Sequence, residues 1–340
     1  MVLARRDPAS LARARPAAQN PTGHRGDSEA PDLTVVLIAL IALFAAATRE
    51  SLAQQPRSVA VTFDDLPMTR VRSLADMQAM TARLLDGLER YGILTVGFVN
   101  EIKLDQVPGE AAARQALLAS WLDHGHELGN HTYSHRRLYN TSVAAWGDDV
   151  LRGERVTRAL MAERGRTLRY FRHPTLNTGR DLAAKAEADR FLADHGYLVA
   201  PVTVDNDEYL YALAYDRARA RGDSLGVRRL GADYVRYMEE MFAYGERLSV
   251  AVVGREIRQV LLVHANWLNA DYLPGLAEML GRRGVRFTTL EEALEDPAYA
   301  LPDRYVGRRG PSWLECWAVT QGRTVEPQPA IPAWVREAAR

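Results

Sequence analysis

The chain has 340 residues, 47% of them apolar, enough to bury one large core or two small ones. Its 43 Lys and Arg balance 43 Asp and Glu, so it lacks the net basic field that gathers phosphates, and no nucleic-acid partner is expected. One cysteine, Cys316, excludes an intramolecular disulfide and a cysteine-cluster metal site, so any metal must rest on His and carboxylates.

Near the N-terminus, Leu33 to Ala47 form an apolar run, LTVVLIALIALFAAA. It is shorter than the ~20 residues that span a bilayer as a helix, and fits the apolar region of a signal peptide. Ser51-Leu52-Ala53 follows with the small-x-small pattern a signal peptidase reads, which would leave Gln54 as the new N-terminus. The preceding segment is long and Arg-bearing for a leader. That leaves open a true start downstream of Met1, or an uncleaved run that anchors the chain in a membrane through residues 33–47. The bland alternative is a buried core helix.

Ser58 to Phe63 (SVAVTF) is expected to be a buried strand. Met77, Met80, Leu84, Leu88 and Tyr91 then recur at the spacing of one helix face. Leu94–Val99 predicts a strand, Ala111–Asp123 a helix, Thr141–Glu163 a longer helix and Leu168–Phe171 a short strand. Asp181–His195 reads as helix, Tyr197–Val204 as extended chain, Val260–Val263 as a strand and Tyr272–Arg282 as a helix. Phe287 and the TLEEAL segment close the series. Strands alternating with helices imply parallel strands joined by crossovers, and about seven such units favour an α/β fold of (β/α) barrel type over an open sheet. The helical stretch from Glu208 to Gly254 exceeds one crossover and reads as an insertion beside the strand ends, placed to shape a cleft. After Pro302 the segment GRRGPSWLECW reads as a packed tail.

Polar residues stand where the apolar strands stop. The first strand ends in Thr62-Phe63-Asp64-Asp65, and adjacent carboxylates need a cation or a shared proton, unless they serve only as a turn or helix cap. His131-Thr132-Tyr133-Ser134-His135 spaces two imidazoles by four, which on one helical turn puts both on one face within reach of one ion. Two His and one carboxylate leave coordination positions open for water and substrate. Arg172 follows LRYF, the cluster Asp205-Asn206-Asp207-Glu208 follows LVAPVTV, and His264 follows VLLV. His124 and His126 carry no comparable signal.

This order of motifs (TFDD, GHELGNHTYSH, Arg172 with Pro174, an acidic cluster, Leu262-Val263-His264) resembles the polysaccharide deacetylase family, the NodB homology domain or carbohydrate esterase family 4, over about residues 57 to 295. The resemblance implies a distorted (β/α)7 barrel, with the helical insertion near 208–254, one divalent ion with zinc as the expected metal, and removal of N-acetyl groups from polymers of N-acetylglucosamine. Carried over, Asp65, His131 and His135 match the metal ligands, Asp64 the general base, His264 the general acid and Arg172 the residue that orients the base. Residues 1–53 are then a leader or anchor, 54–300 the catalytic domain and 301–340 a C-terminal tail. The expected location is outside the cytoplasm: periplasmic, at the cell surface or secreted.

Two departures concern the cleft. The family's third motif usually reads Arg-x-Pro-x-Gly, whereas Arg172-His173-Pro174-Thr175-Leu176 has no glycine until Gly179. The fourth motif usually pairs Asp with Trp, whereas Glu208-Tyr209 stands at that spacing here, so Asp205, Asp207 and Glu208 are all candidates to orient His264. Pro174 and Tyr209 are the candidate cleft residues. The same metal set would also serve hydrolysis of other non-peptide amides or of O-acetyl esters. A carbohydrate-binding protein without activity is the alternative from another class.

Overall fold

The computed structural model describes residues 57–70 and 72–340. The expected leader, its Ser51-Leu52-Ala53 site and the 33–47 run lie outside the described residues. Among the described residues no helix is long and apolar enough to cross a membrane.

Strand β1 (Ser58–Leu66) is central because it can be buried on both faces: Val59, Ala60, Val61, Thr62 and Phe63 are each at most 4% exposed. A near-continuous apolar run is what a covered parallel strand requires. It pairs in parallel with β2 (Val96–Val99), β6 (Gln259–His264) and, at its first residues, β7 (Arg286–Phe287). Beyond β2 follow β3 (Glu127–Asn130), β4 (Tyr170–Phe171) and β5 (Leu198–Val199), giving a seven-stranded sheet in which β7 leaves the path β5-β4-β3-β2-β1-β6. The chain after β5 closes the curl. Ala200 N donates to Phe171 O on β4, and Thr203 N donates to Val260 O on β6. The result is a parallel-strand sheet curled into a barrel and ringed by helices.

The helices are α1 (Leu74–Arg90), α2 (Ala111–Asp123), α3 (Val143–Arg152), α4 (Arg155–Ala162), α5 (Leu182–Asp194), α6 (Glu208–Ala220), α7 (Ser224–Val253), α8 (Trp267–Arg282), α9 (Leu290–Leu294), α10 (Trp313–Thr320) and α11 (Ala333–Ala338). The expected insertion is the pair α6 and α7, whose Tyr211, Tyr215, Tyr234 and Tyr237 are buried together. The tail is packed as expected, with Trp313, Leu314 and Trp317 of α10 buried.

Several expected elements change. The single helix over 141–163 is two helices, because Gly153 ends α3 where a Cβ would lie 2.4 Å from Tyr133 N. The second strand starts at Val96, since Leu94 is 50% exposed. Helix α8 begins five residues before Tyr272, where the Asn266 side chain accepts from Asn269 N and caps it. The strand Glu127–Asn130 escapes the periodicity reading because it is only four residues long and begins with a charge.

Candidate active site

The sequence-predicted site residues lie at the ends of β1, β3, β4 and β6, in the loops beyond them, in the segment after β5 or at the start of α6, the end of a parallel barrel where chemistry is usually housed. A cavity of about 410 Å³ is lined there by Asp64, Asp65, His131, His135, Asp205, Asp207, Tyr209 and His264 among others. A smaller one of about 150 Å³ shares Tyr209 and His264 and adds Met68, Ala212 and Leu213. The insertion therefore walls this neighbouring pocket through α6.

The two imidazoles do not sit on a helix. His131 follows β3 directly, and the chain then turns with Thr132 at φ 61 and His135 at φ 59. That turn brings their rings to 4.9 Å between centroids, so the spacing of four works through a left-handed loop. Three anchors shape it: Asn130 Oδ1 accepts from Thr132 N, Asp149 O accepts from Tyr133 N, and the Asp149 carboxylate accepts from Ser134 N and Oγ. The break after α3 thus has a purpose, since it lets Gly153 and Asp149 lie flush against the loop. Asp65 has φ 72, at the register shift between Phe63 and Leu66 that turns its carboxylate away from the pleat of β1.

The ligand atoms of Asp65, His131 and His135 all lie within 4.8 Å of one another. Two His nitrogens and one carboxylate oxygen fit a catalytic divalent ion, and His131 Nδ1 donates to Arg172 O at 2.8 Å, which leaves Nε2 for the metal. Burial pushes both imidazoles down to about 4, so they are neutral, as ligands must be. Burial opposes ionisation of Asp65, but Lys103 outweighs it with His135 and holds the carboxyl well below its usual range. Lys103 Nζ reaches Asp65 Oδ1 at 3.1 Å and donates to Asp65 O at 2.8 Å.

Asp64 is not part of this cluster. Its Oδ1 accepts from Arg172 at 3.1 Å, while Arg172 is fixed by Ala200 O and Thr62 Oγ1 and is wholly buried. Burial raises the Asp64 carboxyl above its ordinary value against the pull of that guanidinium. On the far strand, Glu208 is the partner of His264: Nδ1 donates to Glu208 Oε2 at 2.8 Å, and Asn266 and Asn269 donate to Oε1. Burial works against the imidazolium, but the Glu208 carboxylate wins and lifts His264 to about 9. Asp207 is exposed, and Asp205 accepts from Asn206 N and lines the cleft. Burial and the Glu315 carboxylate push Asp205 up to about 7. Neither bonds to His264.

Pro174 is buried beneath a turn in which Thr175 and Leu176 both have positive φ, 54 and 53. Leu176 stands where Arg-x-Pro-x-Gly carries glycine, so the backbone keeps the left-handed conformation without the residue that adopts it freely. All five non-glycine residues with positive φ among the described residues, Asp65, Thr132, His135, Thr175 and Leu176, line or flank this cleft. Strain of about 1–3 kcal/mol each is tolerated where the surroundings over-determine the backbone. Lys103 and Asp149 escape sequence reading, because neither stands in a motif and each meets its partner only through the fold.

The residues 52–191 match the model of the polysaccharide deacetylase family. Among solved structures, the chitin deacetylase of Colletotrichum lindemuthianum is 24% identical, with a TM-score of 0.50 over 72% of this chain and 90% of that one. A family 4 carbohydrate esterase of Streptomyces lividans, solved with acetate, is 19% identical (TM-score 0.45; 70% and 95% covered). A CE4-family pseudoenzyme of Bacillus anthracis is 14% identical (TM-score 0.47; 71% and 66%). No curated protein matches the chain. The barrel is the fold of the chitin deacetylase, and residues 52–191 are similar to the polysaccharide deacetylase family model.

Proposed function

We propose that the protein is a metal-dependent hydrolase that removes N-acetyl groups from N-acetylglucosamine-containing polysaccharide. The observation that carries this reading is the arrangement at one cleft of an Asp65, His131, His135 cluster, with an Arg-held carboxylate on one side and a carboxylate-paired histidine on the other. The cluster suits one divalent ion, zinc by its ligand types, which when bound polarises the acetyl carbonyl and acidifies a water. Asp64 accepts the proton of the attacking water, and Arg172 keeps its carboxylate pointed into the cleft. Its raised pKa makes it a better base than an ordinary aspartate. An amine leaves poorly unless protonated, and His264, kept charged by Glu208, gives its Nε2 proton to the departing nitrogen. Tyr209, 47% exposed at the cleft, offers a face on which a sugar ring can stack.

Export places the enzyme with wall or capsule polymers, and the N-terminal 53 residues supply the address as leader or anchor. The test is metal content of the purified protein, followed by acetate release from chito-oligosaccharide, peptidoglycan and poly-N-acetylglucosamine. Metal bound and acetate released supports the reading. Oligosaccharide bound with neither metal nor acetate would instead mark a carbohydrate-binding descendant of an enzyme.

A further inference from the structure

The third wall of the cleft carries charge that the reaction does not use. Arg137, Arg308 and Arg309 line the same cavity as the candidate metal cluster. They come from distant parts of the chain, and specific contacts seat them on one side. Gly310 lies so close to Leu176 that a Cβ there would be 1.8 Å from Leu176 O. Asn177 Nδ2 donates to Gly307 O at 2.7 Å, and Asn177 Oδ1 accepts from Tyr139 N at 2.8 Å. Gly307 N donates to Gly179 O. The turn after β4 is therefore clamped between the loop that carries Arg137 and the tail segment that carries Arg308 and Arg309.

These side chains are exposed, and among the described residues none has a hydrogen bond or ion pair. Some arginines of the molecule are matched to carboxylates, as Arg169 is to Glu127 and Glu291 and Arg255 to Asp296, and others stand singly on the surface; what sets these three apart is that they share one cavity. The cleft carboxylates Asp205 and Asp207 form no ion pair with these arginines among the described residues. They follow the 203–204 segment beside β6, whereas Arg137 stands on the loop after β3 and Arg308 and Arg309 on the tail segment before α10. Guanidinium groups recognise carboxylate and phosphate by paired hydrogen bonds, and three on one rim favour an anionic ligand over a neutral one.

Resting on the deacetylase reading, we infer that the substrate is an acidic N-acetylated glycan, whose anionic group, a carboxylate or a phosphate, docks on Arg137, Arg308 and Arg309 while an acetylated sugar faces the metal cluster. The acidic sugar and the acetylated one are then separate units of one polymer.

The experiment compares three oligosaccharides on the full protein: a neutral tetramer of N-acetylglucosamine, a tetramer alternating N-acetylglucosamine with a uronate, and a phosphodiester-linked N-acetylhexosamine oligomer. Kd by calorimetry and acetate release are both measured. One acidic ligand should bind at least about tenfold tighter than the neutral tetramer at low salt, and the advantage should shrink as salt rises. Arg308→Glu with Arg309→Glu, or Arg137→Glu alone, should raise the acidic-to-neutral ratio of Kd toward one or above and lower that of kcat/KM. The acidic arm that responds identifies the anion. Equal affinity for all three ligands, or equal losses on all in the variants, overturns the inference even if acetate is released. Tighter acidic binding abolished by the reversals, with no acetate from any ligand, upholds it and overturns the deacetylase reading instead.

Discussion

Two histidine environments face each other across the cleft, and burial alone would push both below the ordinary imidazole value. His131 is 1% exposed and gives its Nδ1 proton to a main-chain carbonyl, while His264 gives its Nδ1 proton to the Glu208 carboxylate. The first falls to about 4 and the second rises to about 9. A neutral acceptor orients a ring but favours its charge too little to offset burial, whereas a carboxylate both orients it and outweighs burial. The partner of the remote nitrogen thus decides whether an imidazole is fit to be a ligand or an acid.

Breaking the ligand side should have the largest effect. His131→Ala or His135→Ala should remove metal and turnover together, with affinity falling by more than the ~100-fold upper range seen when a ligand's supporting partner is lost. Elemental analysis and acetate release check this, and full metal occupancy in both variants would overturn the ligand assignment. Asp64→Asn comes next: metal should stay, and turnover should drop about 10²- to 10⁴-fold, because a carboxamide accepts no proton. Parallel metal and rate measurements separate it from the first case.

The acid side is probed by leaving group and by pH. His264→Ala should cost an amide substrate about 10²-fold in kcat/KM and an aryl acetate far less, since an aryl oxide leaves unprotonated. Equal losses would show that His264 is not the leaving-group acid. Glu208→Gln sharpens the point. A raised pKa keeps the proton on His264 up to about pH 9, and the amide rate is lost as pH rises through that value. The variant's alkaline limb should move down toward the ordinary histidine range, lowering the amide rate at pH 8 by about 10- to 30-fold. A pH profile that does not move would contradict the pairing.

The smallest effect is expected at Asp149→Ala, which removes the anchors of Ser134 N and Oγ but no ligand. Metal affinity should fall by about tenfold, with the pH limb of His264 unchanged.

What the sequence made legible was whatever depends on order along the chain. Asp64, Asp65 and His264 end apolar runs, so strand-end chemistry could be read from them. The His131 and His135 pairing was legible in its spacing but not in its cause, because the left-handed turn at Thr132 is invisible to periodicity. The choice of Glu208 over Asp205 and Asp207 could not be made either, since it depends on the turn into α6 that buries one carboxylate and exposes another. Lys103 and Asp149 are contacts across the fold, with no local signature. The matched family segment ends at residue 191, so the paired Glu208 and His264 lie beyond it.

Gly310 leaves no room for a side chain against Leu176, which makes the join between tail and barrel intolerant of bulk. Gly310→Ala or a longer replacement would have to lever the Arg308 and Arg309 segment outward or unseat the turn at Pro174. Trimming the chain at residue 301 is no substitute, because it would also strip Trp313, Leu314 and Trp317 from the core. The tail, peripheral by position in the chain, is therefore both a piece of the core and an edge of the cleft, and point changes at Arg308 and Arg309 alter that edge while α10 stays seated.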